Sequence, residues 1–137
     1  MPKTVIAGVD GSDESGNALR WAADYVDQVG GVLHAITVWH QPVQFGYRLA
    51  TPDSELKQRA QSTLDAAVRP VREQYPNVDI KGRLIRGDDV DELVRLSEQA
   101  DLMAVGNKGH SAFTSMMVGS VAMRLVQHAH CPVIVVR

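Results

Sequence analysis

Three glycines and a serine between residues 106 and 120 have a spacing that suits phosphate binding. Gly106 and Gly109 are three residues apart, and Gly119-Ser120 precedes a stretch with helical periodicity. Glycine lets a ligand approach the backbone closely, and successive amides in such turns form an anion-binding nest. A helix N-terminus adds free amides and a positive dipole end. The segment therefore predicts a phosphate site, although each glycine taken alone is also an ordinary turn residue.

Four polar residues extend this candidate site. Lys108 offers a point charge beside a phosphate or a solvated side chain, and His110 stands where a ligand contact is possible. The Ser120 hydroxyl can cap a helix or donate to a phosphate oxygen. Asp10 follows an apolar run, where its carboxylate can accept hydrogen bonds from ribose hydroxyls or cap a turn.

Several other chemistries lack their sequence signatures. The chain has neither G-x-x-x-x-G-K-[ST] nor G-x-G-x-x-G, which disfavours P-loop hydrolysis and dinucleotide-dependent hydride transfer. It also lacks the G-x-S-x-G nucleophile elbow. Cys131 precedes a proline at a turn and is interpreted as a small core residue. The five histidines lack the spacing of a metal site. Apart from His110, which lies in the glycine segment, they are interpreted as structural or solvated; these are His34, His40, His128 and His130.

Composition indicates a globular domain. Of 137 residues, 45% are hydrophobic and 22% charged, and this length buries a core without disulfides or a structural metal. The formal net charge of -2, from 14 basic and 16 acidic interspersed residues, disfavours a nucleic-acid partner. No apolar stretch approaches the ~20 residues of a membrane-spanning helix. A single cysteine and no signal-peptide pattern at the N-terminus predict a cytoplasmic protein.

The elements that must position these residues are predicted from hydrophobic periodicity. In the first half, strands are expected at Thr4–Val9 and Val32–Trp39, helices from Ser12 or Asp13 to Val29 and from Asp53 to about Tyr75, and a loop at 40–52. Pro70 predicts an end or kink of the second helix near Arg69.

The second half continues the alternation. Val78–Ile85 has the apolar and polar alternation of a strand toward one edge, with a bulge at Gly82. Asp89 and Glu92 have capping-box spacing for a helix that opens at Asp88-Asp89 and ends near Ala100. The remaining elements are strands at Leu102–Gly106 and Pro132–Val136 and a helix from Ser120 to about His130.

Five strands alternating with four helices predict a doubly wound, three-layer (Rossmann-like) α/β domain over residues 1–137, with a five-stranded parallel sheet. In such folds ligands bind beyond the carboxyl ends of the strands. We therefore expect Asp10 and the 106–120 segment to lie together.

These residues resemble a known family. Gly106-x2-Gly109-x9-Gly119-Ser120 is similar to the G-2x-G-9x-G-(S/T) signature of ATP-binding universal stress proteins, and VIAGVDGS at residues 5–12 resembles their opening strand and aspartate. RGD at 86–88 and HCPVIVVR at 130–137 resemble their third crossover and closing strand. Asn107-Lys108 replace the usual small and basic pair of the signature.

The resemblance implies strand order 3-2-1-4-5 and a homodimer joined through the last strand, Pro132–Val136. It also implies a ligand site carried over position by position. Adenine is expected near Val9, Asp10 and Val38, and ribose on Asp10 and Gly106. Phosphates are expected on Gly109, Gly119, Ser120 and Val121, with Asn107, Lys108 and His110 as further contacts.

A phosphate cradle with no evident base to activate water favours a nucleotide-dependent regulator of the stress response. The alternatives are a slow ATP-hydrolysing or nucleotidyl-transferring enzyme, and a cyclic-AMP-binding member of the same family. A receiver-like switch is disfavoured because residues 85–88 offer no convincing buried phosphoacceptor. We predict ATP as the ligand, with Mg²⁺ carried on its phosphates, and leave enzymatic activity open.

Overall fold

The computed structural model describes residues 3–41, 43–44, 47–48, 51–108 and 118–137. Strands and helices alternate along these residues. The elements are β1 (Thr4–Gly8), α1 (Asp13–Val29), β2 (Val32–Trp39), β3 (Val43–Gln44), β4 (Tyr47–Arg48), α2 (Asp53–Gln74), β5 (Asp79–Arg86), α3 (Asp89–Ser97), β6 (Leu102–Gly106), α4 (Ser120–His128) and β7 (Val133–Val136).

Five strands form one parallel sheet in the order β5-β2-β1-β6-β7. Counted along the chain within this sheet, the order is 3-2-1-4-5, as predicted. Central β1 is paired on both sides, with Val5 opposite Leu33 of β2 and Leu102 of β6. The predicted edge position of β5 is confirmed.

Helices cover both faces of the sheet, which confirms the three-layer architecture. Alternation along β1 sends Val5 and Ala7 into a cluster with α1 and α2, on what we call the α1/α2 face. Ile6 enters a second cluster with α3 and α4, on the α3/α4 face. Successive strand residues point to opposite faces, so two cores form on one nearly continuous apolar strand.

The segment predicted as a loop between residues 40 and 52 contains two short strands. Val43–Gln44 pairs antiparallel with Tyr47–Arg48 in a separate sheet. The loop prediction was wrong at these four positions. Two-residue strands are too short for period-2 hydrophobicity to reveal them.

Helix α2 does not end at Arg69. It runs through Pro70 to Gln74, so the predicted end was wrong. Pro70 and Ala66, four residues earlier, are both exposed. Solvent can therefore reach the Ala66 carbonyl that loses its amide partner, while Leu64 and Val68 hold the opposite face on the sheet.

Gly82 does not form a bulge, because β2 and β5 pair one residue to one from Val32–Asp79 to Trp39–Arg86. That prediction was wrong. A Cβ at position 82 would lie 3.3 Å from Leu64 Cδ2. The absence of a side chain instead lets α2 approach the edge strand closely.

The ends of three later elements differ from the predicted bounds. Helix α3 ends at Ser97 and α4 at His128, while β7 begins at Val133. The N-cap of α3 is Asp88 rather than Asp89, and its carboxylate accepts from the Asp91 amide at 3.1 Å. The predicted capping box was therefore one residue late. No helix in the described ranges is long and apolar enough to span a membrane.

Candidate functional site

The carboxyl ends of neighbouring strands bring the candidate residues to one edge of the sheet. Asp10 follows β1, His40 follows β2, Asp88 and Asp89 follow β5, and Asn107 follows β6. Parallel strands in register end at the same edge, about 4.8 Å apart. The predicted meeting of Asp10 with the start of the glycine segment is thus built into the strand order.

Asp10 both shapes a turn and presents a free acceptor. Its Oδ1 accepts from the Ser12 amide at 2.9 Å and from the Ser12 hydroxyl at 2.5 Å. Ser12 in turn caps α1 by accepting from the Ser15 amide at 3.1 Å. Asp10 is exposed, and its Oδ2 makes no hydrogen bond with the described residues. Asp10 can therefore serve both predicted roles at once. Its Oδ1 shapes the turn, and its Oδ2 is available to accept from a ligand.

Val9 and Val38 differ in what they can offer a base. The Val9 amide donates to the Ile36 carbonyl at 2.8 Å, and its carbonyl accepts from the Thr37 hydroxyl at 2.9 Å. The Val9 side chain is buried on the α1/α2 face, which leaves one carbonyl lone pair for a ligand. Val38 is half-buried on the α3/α4 face, where an apolar contact with a ring is possible.

Arg86 occupies the α1/α2 side of this edge. Its guanidinium lies 3.0 Å from Asp53 Oδ2 and 5.4 Å from the centroid of the Trp39 ring. These contacts join the ends of β2 and β5 to the start of α2. A ligand at the edge is therefore expected on the α3/α4 side, where Val38 lies.

The exit of β6 is tied to three other elements. A Cβ at Gly106 would lie 2.8 Å from backbone atoms of Glu14 and Ser15 in the first turn of α1. The Asn107 amide donates to the Val136 carbonyl at 2.7 Å, and its carbonyl accepts from the Gly119 amide at 2.5 Å. The predicted glycine at the strand exit thus packs a strand against a helix.

Lys108 is paired with an acidic residue. Its Nζ lies 3.6 Å from Glu14 Oε1, and both side chains are largely buried, with 25% and 19% exposed. Lys108 therefore neutralises the first turn of α1, where two acidic residues begin the helix. A phosphate that contacts Lys108 would have to share the Lys108 ammonium with Glu14.

The N-terminus of α4 supplies amides. Gly119 is its N-cap, in an extended conformation with φ −65° and ψ 159° and without a side-chain cap. The first amides of a helix have no intrahelical carbonyl, so Ser120 and Val121 present theirs outward. Ser120 is exposed and Val121 half-buried. The predicted contacts at Gly109 and His110 lie outside the described residues.

Sequence reasoning missed Asp89, which the structure brings to the same edge. Burial is the main cause that raises the pKa of Asp89 above its usual value, and Asp88 and Asp10 raise it further. His40 has the opposite effect on this pKa. The available signal was position, because Asp88 and Asp89 follow a strand as Asp10 does.

Asp89→Asn is expected to stabilise the protein at pH 7. A carboxyl whose folded-state pKa lies above its unfolded value destabilises the fold once it ionises, and for an aspartate this cost appears as the pH rises above the ordinary pKa of 3.8. Asparagine mimics the protonated carboxyl, so the difference in stability between the variant and wild type should disappear as the pH falls below 3.8. Thermal melts of both proteins from pH 3 to 7 check this. A constant difference across the series would contradict it.

Cys131 packs against the hydrophobic core rather than facing the candidate site. It is half-buried beside the α3/α4-face cluster. Burial, followed by the nearby Asp101, raises the pKa of its thiol. A raised pKa disfavours the thiolate that nucleophilic chemistry needs, in agreement with its interpretation as a core residue.

A separate groove of about 540 Å³ lies between α1 and α2. Its walls include Ser12, Arg20, Thr63 and Pro70. It lies on the α1/α2 side of the sheet, and its wall at Ser12 adjoins Asp10, to which Ser12 donates. Its described lining includes neither Val38 nor any residue of α4.

Fold and edge together define a doubly wound α/β domain with an anion-compatible helix N-terminus beside a free carboxylate. The family model described as the universal stress protein family matches residues 1–137. The chain belongs to this family.

Similar proteins agree with that assignment. A universal stress protein of Mycobacterium tuberculosis is 33% identical over 133 residues, which are 97% of this chain and 44% of that protein. The chain spans about half the length of the curated relatives it matches. Universal stress protein UspA from Lactobacillus plantarum superposes with a TM-score of 0.78 at 22% identity, covering 98% of this chain and 97% of the other.

A second solved structure carries a ligand. It is a universal stress protein in complex with cAMP, with a TM-score of 0.72 and 26% identity, and the match covers 98% of this chain and 97% of that one. That protein holds an adenine nucleotide on the same fold.

Proposed function

We propose that this chain is an ATP-binding regulator of the stress response, built as a single universal stress protein domain over residues 1–137. The observation that carries the proposal is the junction at Gly119. There the amides at the start of α4 lack a side-chain cap, and the β6 exit joined to them adjoins β1, the strand that Asp10 follows. Amides suit phosphates and a carboxylate suits ribose hydroxyls.

The proposed layout follows the strand order. Adenine lies against Val38 and the free lone pair of the Val9 carbonyl, and ribose contacts Asp10 and Gly106. Phosphates contact Gly109, Gly119, Ser120 and Val121, with Asn107, Lys108 and His110 around them. The described residues hold no group of three potential metal ligands, and we propose that Mg²⁺ is carried on the nucleotide phosphates.

We further propose a homodimer in the cytoplasm, joined through β7. Strand β7 is an edge of the sheet, and Val133–Val136 are all only half-buried. Nearby α4 exposes Met123 and Val126. An apolar edge strand of this kind is suited to pairing with a second copy, which removes the edge from solvent.

Native mass spectrometry followed by calorimetric titration with Mg-ATP tests the proposal. We expect a dimer and saturable binding. Gly119→Ala should weaken ATP binding roughly tenfold, about 1.4 kcal/mol, because a methyl group stands where phosphate meets the backbone. Its melting temperature should fall only slightly, because φ −65° suits any residue while Ala is a poorer N-cap than Gly.

Gly16→Ala is the matched control. Its added Cβ would meet only the Arg20 guanidinium, at 3.9 Å, so ATP affinity should be unchanged. Absence of binding by every adenine nucleotide at millimolar concentration would refute the function. A monomer mass of 15.0 kDa would refute the dimer alone.

Cyclic AMP is the second candidate ligand, favoured by the cAMP complex of the 26% identical neighbour. It shares the adenine ring and one ribose hydroxyl with ATP but has a single phosphate. Competition between the two nucleotides separates the candidates. A preference for ATP indicates that the start of α4 contributes through the additional phosphates.

A further inference from the structure

Asn107 carries a buried acceptor to which none of the described residues donates. The residue is 7% exposed, and its Oδ1 has no hydrogen-bond partner among the described residues. A buried polar atom left in this way costs the free energy of its lost hydration. Such atoms are uncommon in native proteins and call for a physical explanation.

The backbone holds Asn107 firmly in place. Its amide continues the ladder to β7 through Val136, and its carbonyl receives the Gly119 amide. A loosely held backbone therefore does not explain why Oδ1 has no partner among the described residues.

Alternation along β6 defines the side to which Asn107 points. A Cβ at Gly106 would face α1, whereas Val105 packs on the α3/α4 face. Asn107 follows β6 at a bend, its amide still bonds to β7, and continuation of the strand alternation through it places its side chain on the side of Val105. That is also the side of Val38, where the ligand is expected.

We propose that Asn107 determines ligand specificity by accepting a hydrogen bond from a ribose hydroxyl through its Oδ1. The inference rests on the proposed function and deepens it. Asn107 and Asp10 follow the adjacent strands β6 and β1, and each offers one acceptor without a partner among the described residues. Two acceptors on neighbouring strand ends match the two vicinal hydroxyls of ribose.

Other donors on the nucleotide fit less well. In the proposed layout the adenine ring contacts Val38 of β2, two strands from β6, which is about 10 Å at ordinary strand spacing, and its amine donates to the Val9 carbonyl. Phosphate oxygens are mostly deprotonated at neutral pH and offer no proton to an acceptor. Ribose hydroxyls are the donors that remain at this position.

The test compares ATP with 2′-deoxy-ATP and 3′-deoxy-ATP by calorimetry on the full chain. Wild type should bind both deoxy analogues more weakly than ATP, and the analogue that lacks the partner of Asn107 about 3- to 10-fold more weakly, the usual range for one neutral hydrogen bond. Asn107→Leu, which replaces the amide with an apolar group of similar shape, should bind ATP and that analogue equally. Asn77→Leu, the same change at an exposed turn residue, should keep the wild-type preference.

Stability provides an independent measurement. Ligand-free Asn107→Leu should melt at a higher temperature than wild type, because an acceptor without a donor has been removed. A residue that only supports the fold would behave oppositely, with a lower melting temperature and equal losses for all three nucleotides. That result would overturn the proposal.

A second variant covers a failure of Asn107→Leu to fold. Asn107→Asp keeps an acceptor oxygen at this position, so it should retain the preference for the intact ribose while its charge weakens all three nucleotides. Equal binding of ATP and both deoxy analogues by wild type would overturn the role of Asn107 and leave nucleotide binding intact. Absence of binding by all three would refute the proposed function itself.

Discussion

Gly106→Ala is expected to lower the free energy of unfolding by about 3 kcal/mol, near the upper end for overpacking. The added Cβ would lie 2.8 Å from the Glu14 carbonyl carbon and the Ser15 nitrogen. Both atoms belong to the backbone of α1, so no side-chain rotation relieves the clash. Denaturant unfolding of the variant and wild type measures the loss.

Nucleotide binding should fall with stability in this variant. Moving the first turn of α1 also moves the Ser12 hydroxyl, which holds the Asp10 carboxylate in place. Gly119→Ala is the comparison for stability, because it lies in the same signature and should weaken nucleotide binding without a comparable loss of stability. Full stability of Gly106→Ala with loss of binding alone would contradict the packing role and assign Gly106 to ligand approach.

Most of the fold could be predicted because the apolar pattern follows the layers. The run at Thr4–Val9 predicted a strand buried on both faces, and β1 is the central strand. The alternating Val78–Ile85 run predicted an edge strand, and β5 is one. Among the wrong predictions, those at Pro70 and Gly82 failed because their effects depend on solvent access and on a neighbouring helix rather than on local sequence.

The candidate site was only partly predictable. Asp10 and Gly106 were singled out because they follow strands, and the structure places them at one edge. The pairing of Lys108 with Glu14 joins residues 94 positions apart, which spacing within a motif does not reveal. The burial of Asn107 likewise depends on contacts with Val136 and Gly119.

Gly31→Ala should destabilise the fold strongly, by about 4 kcal/mol, when left-handed strain adds to overpacking. Gly31 has φ +121°, and a Cβ there would lie 2.3 Å from the Lys3 carbonyl oxygen. That oxygen accepts from the Val32 amide at 2.8 Å. The substitution therefore disrupts the hydrogen bond between Lys3 and Val32, which immediately precedes the pairing of β1 with β2.

The adjacent Gly30→Ala separates the two contributions. Gly30 has φ +83° and ψ 167°, a region that is essentially restricted to glycine. A Cβ there would meet nothing within 4 Å, so only backbone strain of about 2 kcal/mol should appear. Urea unfolding of both variants under one condition gives the difference. Because the two glycines are neighbours with positive φ, the excess loss at Gly31 measures the clash with Lys3. Equal losses would mean that the chain start moves aside, and that the β1–β2 pairing does not depend on Lys3.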